Sequence, residues 1–108
     1  METVEKQRKL QHLEEQFYQN KRQIHRQQEE IDNQLVNFRK ETDQLVQKIM
    51  YLTKNHHWDS RQFYHQMETI DHHLIRTAQN YAQQLDEKEQ ELTRSYLKER
   101  ERIQEINI

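Results

Sequence analysis

Histidine is the one residue type in this chain whose chemistry reaches toward metal binding or proton transfer. There are seven: His12, His25, His56, His57, His65, His72 and His73. A metal centre built on helices needs ligands one turn apart on one face, as in H-x-x-x-H or E-x-x-H. Glu68 and His72 are four apart, and His65 and Glu68 three apart, so the spacing is met once, on one helix. No matching set of carboxylate and histidine stands opposite. These residues therefore read as a polar helix face, and neither a metal nor any other cofactor is expected. No Ser or Thr stands in a nucleophile–base arrangement, and the chain has no Gly, Pro or Cys. Without Gly there is no P-loop, dinucleotide fingerprint or nucleophile elbow, each of which needs close backbone approach or a sharp turn. Without Cys there is no thiolate ligand, nucleophile or disulfide. The expectation is a protein that is not an enzyme.

The charge balance argues against a dedicated nucleic-acid binder, so no nucleic-acid partner is expected. The chain carries 17 basic and 19 acidic residues, a formal net charge of −2. Lys6, Arg8, Lys9, Lys21, Arg22 and Arg26 are interleaved with Glu2, Glu5, Glu14, Glu15, Glu29 and Glu30. Glu2–Lys6 and Glu5–Lys9 are spaced as helix-supporting pairs, so the pattern reads as a solvated helix surface. Hydrophobic residues are 31% of the chain and mean hydropathy is −1.42, with no run long enough for a membrane span. The opening METVEKQRKLQ lacks the apolar core of a signal peptide, so any export is expected to bypass the Sec route. A Cys-free composition suits the cytoplasm and suits a non-oxidising export route equally.

The elements that carry these residues are legible from periodicity. Leu10, Phe17, Ile24, Ile31, Phe38, Leu45 and Leu52 recur every seven residues, which predicts a helix over about 2–54 with one buried edge. The companion seam positions include the polar Asn20, Gln27 and Gln34. Such residues weaken a coiled coil but select register or partner. The pattern breaks at about residues 55–58. Lys54 suits a helix C-terminus, Asn55 a left-handed cap, and Asp59 with Gln62 a capping box. From there Phe63, Met67, Ile70, Leu74, Ala78, Tyr81, Leu85, Leu92, Tyr96, Ile103 and Ile106 predict a second helix over about 59–106. A connection this short forces antiparallel neighbours. Folding the chain at 57–58 opposes Leu52 to Phe63, Leu45 to Ile70, Phe38 to Ala78, Ile24 to Leu92 and Leu10 to Ile103. The expected fold is all-α: one antiparallel two-helix hairpin with coiled-coil packing.

Its expected core is Leu10, Phe17, Ile24, Ile31, Phe38, Leu45, Leu52, Phe63, Ile70, Leu74, Ala78, Leu85, Leu92 and Ile103. Residues 35–52 hold nine apolar side chains in eighteen, and residues 1–34 only eight. The turn half is therefore expected to bury the wider core, and the open half a single file. Small bodies bury too little surface to be robust, so the hairpin is expected to finish its core on another helical protein, or to self-associate when alone. Val36, Val46 and Met50 on the first helix, with Ile75, Ala82 and Leu97 on the second, stand about 100° from the main stripe and form the expected partner face. Trp58 joins them, both as a cap over Tyr51, Leu52 and Phe63 and as a contact residue.

Two long helices joined through a Trp resemble the WXG-type proteins of type VII secretion. The turn reads Trp58-Asp59-Ser60, with Ser where that family has Gly. The family's export signal, an aromatic followed four residues later by an acid, is met only by Tyr64 and Glu68; Tyr81 precedes Leu85 and Tyr96 precedes Arg100. With these departures and its Gln-, His- and Glu-rich texture, the chain is more similar to the small α-helical proteins associated with LXG toxins in Gram-positive bacteria. That resemblance implies a WXG-like hairpin acting as a targeting factor or chaperone. Its implied partners are the toxin's helical N-terminal domain and a second small helical accessory protein. It implies residence in the cytoplasm and co-export with the toxin. The rival expectations are a coiled-coil stalk or escort of another export apparatus, and a generic coiled-coil scaffold.

Overall fold

The computed structural model describes residues 2–55 and 58–105. Two helices run antiparallel, α1 (Glu2–Thr53) and α2 (Arg61–Glu105), and the described residues contain no strand. The fold is all-α. The expected turn positions His56 and His57, and Ile106 at the expected end of the second helix, lie outside the described residues.

Both helices are long because nothing interrupts them: the sequence offers neither Pro nor Gly and is rich in Gln, Glu, Lys and Leu, all good helix formers. The connection departs from expectation in two places. No described residue has a positive φ, so Asn55 does not take the left-handed cap. Lys54 instead places its ammonium 4.4 Å from the Tyr51 ring centre. At the start of α2, the Ser60 carbonyl accepts the Tyr64 N–H at 3.0 Å, which makes Ser60 the leading half-turn residue. Asp59 acts one position earlier than a cap: its Oδ1 accepts the Arg61 backbone N–H at 3.1 Å, two residues on, as an Asx turn does. The expected capping box at Asp59 and Gln62 is replaced by this turn.

The chain divides into two compact units, one of Met1–Gln28 with Gln83–Ile108, the other of Glu29–Ala82. In the first unit Phe17 and Ile24 on α1 and Leu85 and Ile103 on α2 are buried. Phe17 stacks on Tyr96 with ring centres 4.3 Å apart, and Lys21 approaches the same Phe17 ring at 5.9 Å. His25 Nε2 meets Glu89 Oε1 at 3.1 Å. Lys6 leaves its expected partner Glu2 and donates from Nζ to the Gln104 carbonyl at 2.9 Å. That carbonyl is one of the last four of α2, which have no partner inside the helix, and a cation there also faces the negative end of the dipole. Leu10, Leu13 and Leu92 are half-buried beside this core.

In the second unit no described residue is buried. Ile31, Leu35, Thr42, Val46, Ile49 and Thr53 of α1 are half-buried, as are Phe63, Met67, Leu74, Ile75 and Ala78 of α2. Thr42 and Thr53 donate their hydroxyls to the carbonyls of Phe38 and Ile49, at 2.8 and 2.6 Å. Each hydroxyl is thus satisfied within its own helix, so threonine in the seam leaves no orphaned polar group. Four residues expected in the core, Phe38, Leu45, Leu52 and Ile70, are exposed, Leu52 to 70%.

The physical reason is the mismatch between seven residues and two turns. A strict heptad stripe on a straight α-helix rotates by roughly 20° per heptad, and Leu52 stands six heptads beyond Leu10, so the stripe turns by roughly 120°. Burial on α1 keeps the seven-residue step through Leu10, Phe17, Ile24 and Ile31, then changes phase by a four-residue step to Leu35, Thr42 and Ile49, so that spacings of eleven appear beside those of seven. In the first unit Leu13 and Ile24, Leu85 and Tyr96, and Leu92 and Ile103 are eleven apart; in the second, Leu35 and Val46, Ile31, Thr42 and Thr53, and Phe63 and Leu74. Eleven residues per three turns is about 3.67 per turn, close to the helix's own 3.6. The expected distribution of core is therefore inverted: the half richer in apolar residues is the one that exposes them.

Candidate partner-binding face

The site is an apolar surface on the second unit, set by where the seam leaves large side chains. At about 100° per residue, Val36 and Met50 stand to one side of the line through Leu35, Thr42, Val46 and Thr53. Phe38, Leu45 and Leu52 stand to the other. On α2 the same geometry sets Ile75 and Ala82 to one side of Phe63, Met67 and Leu74, and Ile70 to the other. In an antiparallel pair these sides coincide, so Val36, Met50, Ile75 and Ala82 share one flank and Phe38, Leu45, Leu52 and Ile70 share the opposite one.

Of the residues expected to meet a partner, Val36 and Met50 are 64% and 51% exposed, and Trp58 and Ala82 are exposed as well. Val46 and Ile75 are not free: both are half-buried, Val46 in the line of seam residues and Ile75 at its edge. Leu97 is exposed but belongs to the first unit, so it is not part of this surface. Trp58 packs its ring 5.5 Å from Phe63, tilted by 51°, while Leu52 and Tyr51 remain exposed. Of the three residues expected under this cap, Phe63 is the one whose ring pairs with Trp58.

On the Val36 flank an ion pair ties the two helices, with Arg39 Nε 3.2 Å from Asp71 Oδ1. Both groups are half-exposed, which limits such a pair to about 1 kcal/mol or less. It fixes register more than it stabilises. At the tip, the Arg61 guanidinium and then the Arg61 backbone N–H hold the Asp59 carboxyl below the usual carboxylate range.

The described histidines do not assemble. Glu68 Oε1 and His72 Nε2 are 3.8 Å apart on the surface of α2, and among the described residues no three His, Asp or Glu side chains gather as a metal would require. Among the described residues no helix is long and apolar enough to cross a membrane. Phe38, Leu45, Leu52 and Ile70, expected in the core, form an exposed flank that is not among the expected partner residues. The eleven-residue spacing of Leu35 to Val46 and Phe63 to Leu74 is the signal that exposes it. No protein-family model, curated protein or solved structure matches this chain.

Proposed function

We propose that this chain is a non-enzymatic accessory factor that binds the helical N-terminal domain of an LXG toxin and targets or chaperones it for type VIIb secretion. The observation that carries the binding role is the exposure of Val36 and Met50 beside the half-buried Val46 and Ile75, on a unit in which no described side chain is buried. An amphipathic helix laid along that flank would cover apolar side chains at spacings it can match, the usual helix-in-groove mode. Trp58, exposed at the tip, adds a residue type favoured in interface hot spots. The choice of an LXG toxin rests on the resemblance carried by the long helices and the Trp58-Asp59-Ser60 connection. On this reading the protein acts in the cytoplasm, alongside a second small helical accessory protein, and leaves the cell with its cargo.

Titrating the full chain with the N-terminal domain of the LXG toxin encoded beside it tests the proposal. Binding is expected to raise the melting temperature of the chain, as any ligand specific for the folded state does. Val36→Asp combined with Met50→Asp is expected to weaken binding by at least about tenfold while helicity by circular dichroism stays unchanged. Wild-type chain that does not bind, or the double variant binding as tightly as wild type, overturns it.

A further inference from the structure

The opposite flank of the second unit has a symmetry that an unrelated partner would not require. Phe38, Leu45 and Leu52 lie seven residues apart along α1 and all are exposed. The outer edge of this stripe on α1 is the parallel series Gln34, Glu41 and Lys48. Reversed end to end about Leu45, Glu41 comes opposite Lys48 and Lys48 opposite Glu41, so acid faces base on both sides. Glu41 stands four residues before Leu45 and Lys48 three after, and both line an open groove along α1 with Gln44 and Leu45. Among the described residues neither Glu41 nor Lys48 is engaged in an ion pair within the chain.

We propose that this flank binds a second copy of the chain, α1 against α1 and antiparallel, about a two-fold axis at Leu45. A two-fold contact uses the same patch on both copies and must be self-complementary. Here Leu45 meets Leu45 at the axis, and Phe38 of each copy meets Leu52 of the other. Glu41 of each copy faces Lys48 of the other, so two ion pairs flank the apolar centre. Ile70 of α2 lies on the same flank, exposed, and extends the apolar surface beyond α1. A parallel pairing would place Glu41 against Glu41 and Lys48 against Lys48, which like-charge repulsion disfavours. The proposal does not depend on the toxin partner, whose contact is placed on the other flank.

The test is sedimentation equilibrium of the full-length chain over a concentration series. Wild type is expected to sediment as a concentration-dependent dimer. Glu41→Lys alone brings two pairs of lysines together, and Lys48→Glu alone brings two pairs of glutamates together. Each single variant is expected to weaken the dimer by about tenfold, the scale of two exposed pairs turned from attraction to repulsion. An equimolar mixture of the two variants is expected to recover wild-type affinity, because both lysines of the Glu41→Lys chain then face both glutamates of the Lys48→Glu chain. A parallel contact, whose like charges already repel in wild type, would not be weakened by either single change, and its mixture would bind more tightly than wild type. Loss in both variants with recovery only to the wild-type level therefore marks the antiparallel arrangement. Leu45→Glu is expected to give a monomer of unchanged helicity, since Leu45 is exposed in the single chain. A wild-type chain that stays monomeric, single variants that dimerise like wild type, or a mixture no tighter than its components overturns the proposal. Leu45→Glu that retains the toxin domain while losing the dimer separates this surface from the one proposed for function.

Discussion

The two units solve the same problem with opposite resources. The first draws on the sparser stretch of α1, yet contains the four side chains that are buried among the described residues, Phe17, Ile24, Leu85 and Ile103. It adds a ring stack, an interhelical contact of His25 with Glu89, and a lysine on the last turn of α2. The second holds the densest apolar run of the sequence and leaves Val36, Phe38, Leu45, Met50 and Leu52 exposed. Apolar count therefore does not decide burial; angular register does. A two-helix body can cover only a narrow stripe on each helix, and apolar residues beyond that stripe must find cover elsewhere or stay wet.

The widest test of this contrast is truncation at one position from each unit. Ile24 is 3% exposed and Leu52 is 70% exposed. Ile24→Ala is expected to cost about 2–4 kcal/mol, the range for a buried aliphatic residue that leaves a cavity. Leu52→Ala is expected to stay within about 0.5 kcal/mol, as surface changes do. Chemical or thermal unfolding at low protein concentration, where association is suppressed, measures both. Equal losses at the two positions would mean that Leu52 is covered within a single chain.

A smaller difference is expected between two tyrosines of α2. Tyr96 stacks on Phe17 with an interplanar angle of 17°, whereas Tyr81 is exposed and has no aromatic partner among the described residues. Tyr96→Leu keeps most of the apolar bulk and removes the stack, so about 0.5–1.5 kcal/mol should be lost. Tyr81→Leu should be close to neutral. The same unfolding measurement ranks them, and a neutral Tyr96→Leu would show that the stack contributes only through area.

How much of this could be read from the sequence follows from the same geometry. The helices and their antiparallel pairing were legible because Leu10 to Leu52 is an unbroken apolar series and residues 54–60 interrupt it. Leu10, Phe17, Ile24 and Ile31 lie near the true seam, because a heptad drifts little over three repeats. Phe38, Leu45 and Leu52 lie where the accumulated drift has carried the stripe to the flank, and their expected burial failed there. Val46 and Ile75 are the complement: read as a free face because they sit one residue past Leu45 and Leu74, they are half-buried because the seam had moved toward them. Lys6 could not be assigned from spacing, since its acceptor is a backbone carbonyl 98 residues away. Similarly, the one-residue shift from Asp59 to Ser60 at the start of α2 turned on which carbonyl accepts first, and residue types at a cap do not specify that.

The smallest expected effect lies at that cap and belongs wholly to the second unit. Asp59 accepts from the Arg61 side chain at Nε and Nη2 and from its backbone N–H, and these bonds hold its carboxyl below the ordinary value of 3.8. A carboxyl whose pKa is lower in the folded chain stabilises the fold above the unfolded value, and the contribution is lost as pH falls through the folded value. Ordering of the first turn of α2 should therefore be constant near neutrality and decline on acidification from pH ~5 to ~2. Asp59 is fully exposed, so solvent screens the interaction and the change should be confined to that turn. The amide resonances of Arg61 and Tyr64, followed by NMR across this range, report it. Asp59→Asn keeps an oxygen to accept the Arg61 N–H but carries no titrating charge, so its Arg61 resonance should lose the low-pH inflection. An inflection that persists in Asp59→Asn would assign the acid response to another carboxylate. The amide resonances of Lys6 and Phe17 provide the control, since a local effect at the tip leaves the first unit unmoved.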